Sequence, residues 1–168
     1  MAHATVLHVT DMDSTMVPPS EEGKESAVTD NPLFSEDEGA FASYKQMCSQ
    51  HNVVFVPSSG RTPVSVMETV RLCNLPRPPF VIGGVGTEIM EVVYNENGGF
   101  SFKPLSSWEA HINQNWNPEV VAQCLAEFLI CREGDSLQPE NRQSRFKKSA
   151  WAHKLSDAEL RKLENSLK

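Results

Sequence analysis

The sequence predicts an α/β fold built on a parallel sheet, and three observations predict it. Short apolar segments rich in β-branched residues, at 5–10, 53–56 and 80–82, alternate with segments of helical period. The connections between them are short, as crossover helices require. Each apolar segment also runs directly into a polar corner, and in parallel sheets such corners gather at the carboxyl ends of the strands, where ligands bind.

Taken in order, residues 5–10 (TVLHVT) read as a buried strand and Asp11 to Thr15 as the first corner. Residues 17–31 are rich in Pro, Glu, Ser and Asp with no apolar period, which predicts a long loop beside that corner. Ser35-x-x-Glu38 is a capping-box signature, and a helix to about Gln50 would carry Phe41, Tyr44 and Cys48 on one face. The second strand, 53–56 (VVFV), ends in Pro57-Ser58-Ser59-Gly60-Arg61. Pro63 suits the first turn of a helix reaching about Cys73. The third strand, 80–82, ends in Gly83-Gly84-Val85-Gly86, a tight turn that lets a hairpin leave the sheet. That hairpin spans 88–94 and 100–103 around a turn at 95–99. Further on, Asn117-Pro118 starts a helix through about Ile130, residues 133–145 are polar and loop-like, and 150–152 reads as a strand. Ser156-x-x-Glu159 opens a last helix carrying Leu160, Leu163 and Leu167.

Bulk properties narrow the function classes. The 168 residues are 39% hydrophobic and 22% charged, a composition able to form a core. The formal net charge of −7 argues against nucleic acid as a partner. No apolar run approaches a membrane span, and the N-terminus lacks the basic and apolar regions of a secretory signal, so the expected location is the cytoplasm. Four cysteines without a C-x-x-C pair read as buried free thiols. The five histidines lack zinc-like spacing, and His8 is expected to be a packed strand residue. Trp108, Trp116 and Trp151 read either as packing residues or as stacking surfaces for a sugar.

Two corners carry the chemistry. Asp11 and Asp13, two residues apart after a strand, repel one another and favour a cation, for which Mg2+ is the hard, oxygen-seeking choice. With the pair neutralised, Asp11 can act as a nucleophile and Asp13 as a general acid. The same spacing also suits an Asx-turn and a helix cap. At the second corner a hydroxyl on Ser59 and the backbone of Gly60 could bind phosphate at a helix N-terminus, with Arg61 as a further ligand. A plain turn in which Ser59 caps the helix is the alternative, and for Arg61 the alternative is a solvated surface charge.

Together these motifs carry a resemblance. Val9-Thr10-Asp11-Met12-Asp13-Ser14-Thr15 resembles the D-x-D-x-T motif of haloacid dehalogenase-like (HAD) hydrolases, and Ser58-Ser59-Gly60-Arg61 resembles their second motif, with Ser59 where Thr is usual. Gly84-Val85-Gly86-Thr87-Glu88-Ile89, Trp108 with Asn113-Gln114-Asn115-Trp116-Asn117, and Leu137-Gln138-Pro139-Glu140-Asn141 with Gln143 and Lys147-Lys148-Ser149 are similar to stretches of the sucrose-phosphate phosphatases within that superfamily. The resemblance implies a HAD-like Rossmannoid core begun by residues 1–105 and the start of an α+β cap domain at 106–168. It implies Asp11 as nucleophile, Asp13 as acid/base, Ser59 and the Gly60 backbone on the phosphate, and Mg2+ held by the Asp11 carboxylate and the Asp13 carbonyl. The implied substrate is sucrose 6-phosphate, and an implied partner is a sucrose-phosphate-making glycosyltransferase; the alternative is a non-catalytic module that binds sugar phosphate or docks on such an enzyme.

The family pattern also has a lysine and an acidic pair beyond the cap. Lys147, Lys148, Lys154 and Lys162 do not stand in that context, and Asp157 and Glu159 belong to a capping box. The expectation is that these residues alone turn over slowly, are poorly stable and expose apolar sheet surface.

Overall fold

The structure, a computed structural model, describes residues 5–13, 15–17, 38–130, 132–139 and 142–167. Ser35 of the first capping box, most of the expected loop (18–31) and Cys131 lie outside the described residues. The chain divides into two units, Met1–Glu109 and Ala110–Lys168.

In the first unit, strands β1 (Val6–Asp11), β2 (Val53–Ser58) and β3 (Phe80–Gly83) pair in parallel, and β4 (Glu88–Tyr94) and β5 (Phe100–Pro104) extend the sheet as an antiparallel hairpin. The strand order is β1-β2-β3-β4-β5. Helices α1 (Glu38–Gln50) and α2 (Pro63–Leu72) make the two crossovers. Each rests on an apolar stripe: Phe41 and Cys48 of α1 are buried, as are Val66, Met67 and Val70 of α2. They close over Phe55, Val81 and Met12, which are nearly inaccessible. Burying a side chain of this kind stabilises by about 1.5–3 kcal/mol.

The edge strand β1 shows two different faces. His8 bonds the Tyr44 hydroxyl of α1 at 2.5 Å, and Tyr44 meets Phe55, the register partner of His8, edge-on. Leu7 and Val9 alternate to the opposite face and are 64% and 48% exposed. The expected exposure of apolar sheet surface is therefore present at β1.

A helix that the sequence reading did not anticipate, α3 (Ser106–Ile112), follows β5. It is only two turns long, too short for its period to stand out. The second unit contains α4 (Pro118–Ile130), the ribbon β6 (Ser136–Leu137) and β7 (Ala150–Trp151), and α5 (Asp157–Ser166). The stretch 133–145 was expected to be loop throughout; β6 corrects this, and two residues are too few to show alternation. Gln143 stitches the ribbon, donating to the carbonyls of Gln138 and Ser149 at 2.7 and 2.9 Å and accepting from Ser149 N–H at 2.8 Å. The capping box of α5 is formed as expected from Ser156 and Glu159. Arg132 pairs with both Asp135 and Glu159, and His153 bonds Asp135 through its backbone N–H at 2.9 Å and its ring at 2.6 Å. Among the described residues no helix is long and apolar enough to cross a membrane.

Candidate active site

Backbone pairing brings the polar corners together. Asp11 is the last residue of β1 and lies in register with Ser58, the last of β2, and Ser58 pairs in turn with Ile82 of β3. Beyond these ends, Ser59 N–H donates to Ile82 O at 2.9 Å, Gly84 N–H to Arg61 O at 2.8 Å and Val85 N–H to Ser59 O at 3.2 Å. Three segments distant in sequence thus share one rim.

The side chains divide the work. The Asp11 carboxylate is exposed, and no hydrogen bond or ion pair ties it to another described residue. Asp13 is held instead: Arg61 Nε lies 3.1 and 2.9 Å from its two oxygens, and Arg61 Nη2 pairs with Oδ1. Arg61 Nη1 donates to Thr69 Oγ1 at 3.2 Å, and that buried hydroxyl donates to Ser65 O at 3.0 Å on α2. The guanidinium is therefore anchored to a helix and turned onto Asp13. The sequence left Arg61 as either a phosphate ligand or a solvated surface charge; it did not foresee this pairing. No sequence feature signalled it, because the burial of Thr69 shows only in the fold.

Ser59 is 5% exposed. Its hydroxyl lies 3.4 Å from Asp13 Oδ2 and accepts from Arg61 N–H at 3.1 Å. It does not cap α2. That role belongs to Thr62, whose hydroxyl accepts from Ser65 N–H at 3.4 Å, just ahead of Pro63 in the first turn. The helix-capping alternative for Ser59 is thereby removed. At Gly60 a Cβ would meet, among the described residues, only Val85 Cγ2, at an ordinary 3.8 Å. Gly83 is different: a Cβ would lie 2.7 Å from Pro63 Cδ, so the start of α2 and the end of β3 approach as closely as they do because this residue has none.

The turn after β3 is unusual. Gly84, Val85 and Gly86 all have positive φ (57°, 62° and 88°). The left-handed region is natural for glycine but, for a β-branched residue, costs on the order of 1–3 kcal/mol. The turn is pinned by the two bonds to Arg61 and Ser59 already named, by Thr87 Oγ1 donating to Gly84 O at 2.8 Å and by Trp108 Nε1 donating to Gly86 O at 3.1 Å. Trp108 is thus tied to the backbone. Cys73, buried at the end of α2, has its thiol pushed up to about 12 by burial, with the Arg61 charge acting in the opposite direction. It is no nucleophile at neutral pH.

The donor chemistry fits a hard divalent cation. Mg2+ is commonly held by one or two carboxylates plus water and phosphate oxygens, and Asp11 offers a carboxylate that no other described residue engages. Asp13, with both carboxylate oxygens on Arg61, has its backbone carbonyl to offer. Among the described residues no cluster of three His, Cys, Asp or Glu stands ready as a complete cage.

Comparison with known proteins places this geometry. The sequence model of the sucrose-6F-phosphate phosphohydrolases matches residues 4–168. The chain belongs to that family. It is 28% identical over 151 residues to sucrose-phosphatase 1 of Nicotiana tabacum, covering 90% of this chain and 30% of that protein. It is 26% identical over 150 residues to a HAD-like hydrolase of Nitrosococcus oceani, covering 88% and 35%. The fold is that of the sucrose-phosphatase of Synechocystis sp. PCC6803, solved with sucrose and phosphate: TM-score 0.66 at 18% identity, over 96% of this chain and 57% of that one. The chain spans about a third of the length of these curated relatives. The core is thus HAD-like α/β, and the family is one of phosphatases.

Proposed function

We infer that this chain carries the nucleophile and phosphate-binding half of a Mg2+-dependent sugar-phosphate phosphatase acting on sucrose 6-phosphate. The observation that carries this reading is the meeting of Asp11, whose carboxylate is tied to no other described residue, with the Ser59-Gly60 corner and an Arg61-anchored Asp13 at adjoining strand ends. The substrate comes from the family and from the sucrose and phosphate bound by the Synechocystis relative.

Each residue has a task. The Ser59 hydroxyl and the Gly60 backbone hold the phosphoryl oxygens beside Asp11. An Asp11 oxygen attacks phosphorus, and the bond from phosphorus to the sugar oxygen breaks. Asp13 gives that oxygen a proton, so sucrose leaves and an aspartyl-phosphate remains. Asp13 then takes a proton from water, whose oxygen attacks the same phosphorus; phosphate departs and the Asp11 carboxylate is restored. Arg61 fixes the orientation of Asp13 throughout, since its own position is set by Thr69. The Asp11 carboxylate and the Asp13 carbonyl would hold Mg2+, which supplies positive charge against the phosphate.

The test is phosphate release from sucrose 6-phosphate with Mg2+, compared with Asp11→Asn. Release by the wild type that disappears in the variant supports Asp11 as nucleophile. Equal release by both removes that role. Phosphate binding without turnover favours the non-catalytic module, which binds sugar phosphate or docks on a glycosyltransferase.

A further inference from the structure

We propose that Trp151 and His153 form a sugar-binding surface within the second unit, Trp151 offering an aromatic face to the sugar ring and His153 accepting a hydrogen bond from one of its hydroxyls. Naming the sugar as sucrose rests on the function proposed above. Two independent observations carry the assignment. The first is how His153 is held. The Asp135 side chain is fully buried and is already met by Arg132 and, at 2.9 Å, by the His153 backbone N–H. Those bonds fix the turn and balance the carboxylate charge. The further bond, from ring Nδ1 to Asp135 Oδ1 at 2.6 Å, is needed for neither; it fixes the direction of an imidazole that is 72% exposed. Gly134, at φ 84°, lies against that ring: a Cβ there would stand 2.8 Å from His153 Cε1. A surface side chain has thus lost its rotamer freedom, and a carboxylate behind an imidazole is a common means of orienting the other ring nitrogen.

The tautomer follows from the partner. An ionised carboxylate only accepts, so Nδ1 carries the proton and Nε2 of the neutral ring is an acceptor. No other described residue bonds Nε2. An outward acceptor suits a hydroxyl, which can donate, and not a phosphate oxygen, which also accepts.

The second observation is the state of the tryptophans. Trp108 donates its indole N–H to Gly86 O at 3.1 Å, and Trp116 donates to Arg145 O at 2.9 Å. Trp151 makes no such bond among the described residues and is 52% exposed. It stands on β7 opposite Ser136, two residues before His153. Gln143 ties together the two strands of that ribbon, so the indole is carried on a braced support. An indole has an apolar body and a polar tip. A sugar matches it with C–H groups on the ring face and hydroxyls at the rim. An aromatic surface with a few placed polar atoms is the usual make-up of a small-molecule site.

The experiment titrates the whole chain with sucrose and follows saturation-transfer NMR signals of the sugar, with melting temperature read on the same samples. Trp151→Ala should weaken sucrose binding by a factor on the order of ten, and His153→Ala by a factor on the order of five, the worth of one hydrogen bond. Trp151→Phe keeps an aromatic face and should bind more tightly than Trp151→Ala. Melting temperatures should stay unchanged, because both side chains are exposed. Equal sucrose binding by the wild type, Trp151→Ala and His153→Ala overturns the proposal, as does a wild type that binds no sucrose. Binding lost only together with a lowered melting temperature makes the two residues structural, and the proposal falls. The phosphate corner is judged separately by the loss of phosphate release in Asp11→Asn, so the two readings can fail independently.

Discussion

Arg61 offers the sharpest test of how the corner is held. Removing its side chain in Arg61→Ala takes away the forked pairing with Asp13 and the bond to Thr69. Hydrogen bonds to a charged group contribute about 1.5–3 kcal/mol when well shielded. The two side chains are 22% and 38% exposed, so solvent screening moves the pair towards the lower end or beneath it. Thr69 is not orphaned, because its hydroxyl keeps Ser65 O as partner. A loss of about 2 kcal/mol in urea denaturation is expected, the sum of a screened ion pair and one ordinary hydrogen bond. Asp13→Ala and the double variant complete a cycle, and the coupling should be about 1 kcal/mol. Arg61→Lys keeps the charge but not the planar fork, and should recover only part of the loss. A coupling below about 0.5 kcal/mol, the usual error of additivity, would refute the claim that Arg61 holds Asp13. Phosphate release should fall in Arg61→Ala and Arg61→Lys alike, since each lets Asp13 rotate.

Three further outcomes are expected. Gly83→Ala puts a Cβ 2.7 Å from Pro63 Cδ and 2.9 Å from Pro63 N, so β3 or the start of α2 must shift; a loss of about 1–3 kcal/mol in chemical denaturation is the usual result of such overpacking, and an unchanged midpoint would show that the contact relaxes freely. In the second unit, the His153 backbone N–H and then Arg132 hold the Asp135 carboxyl down at about 2 against an ordinary 3.8. A lowered carboxyl stabilises above its unfolded value and loses that contribution as pH falls through its folded one; melting temperatures should therefore drop between about pH 4 and pH 2, and Asp135→Asn should lessen that drop, with parallel curves counting against the assignment. Leu7→Lys or Val9→Lys on the bare face of β1 should reduce light scattering on storage while leaving the melting temperature nearly unchanged, as charge on an edge strand does; unfolding would mean that the face is buried after all.

How much of this was legible in the sequence depends on whether backbone or side chain decides. The strands at 53–56 and 80–82 were readable because interior parallel strands are nearly continuous apolar runs. Once they pair, Ser58 must fall opposite Asp11, and the two corners meet whatever their side chains do. Pro63 likewise located α2, but the reading took Ser59 as the candidate cap, whereas the cap is Thr62, directly before Pro63. The fork of Arg61 onto Asp13 was not readable, because the same residues in the same turn permit an arginine facing solvent; a buried Thr69 eight residues on decides it. Nor was the left-handed Val85, since local propensity argues against it and the turn is held by bonds to Ser59 O and Arg61 O and from Thr87 and Trp108. Both hidden features are set by contacts outside their own turns, Arg61 by Asp13 and Thr69 and Val85 by Ser59. The placing of the corner is thus a property of strand register, while its fine geometry is a property of long-range contacts that no local sequence window contains.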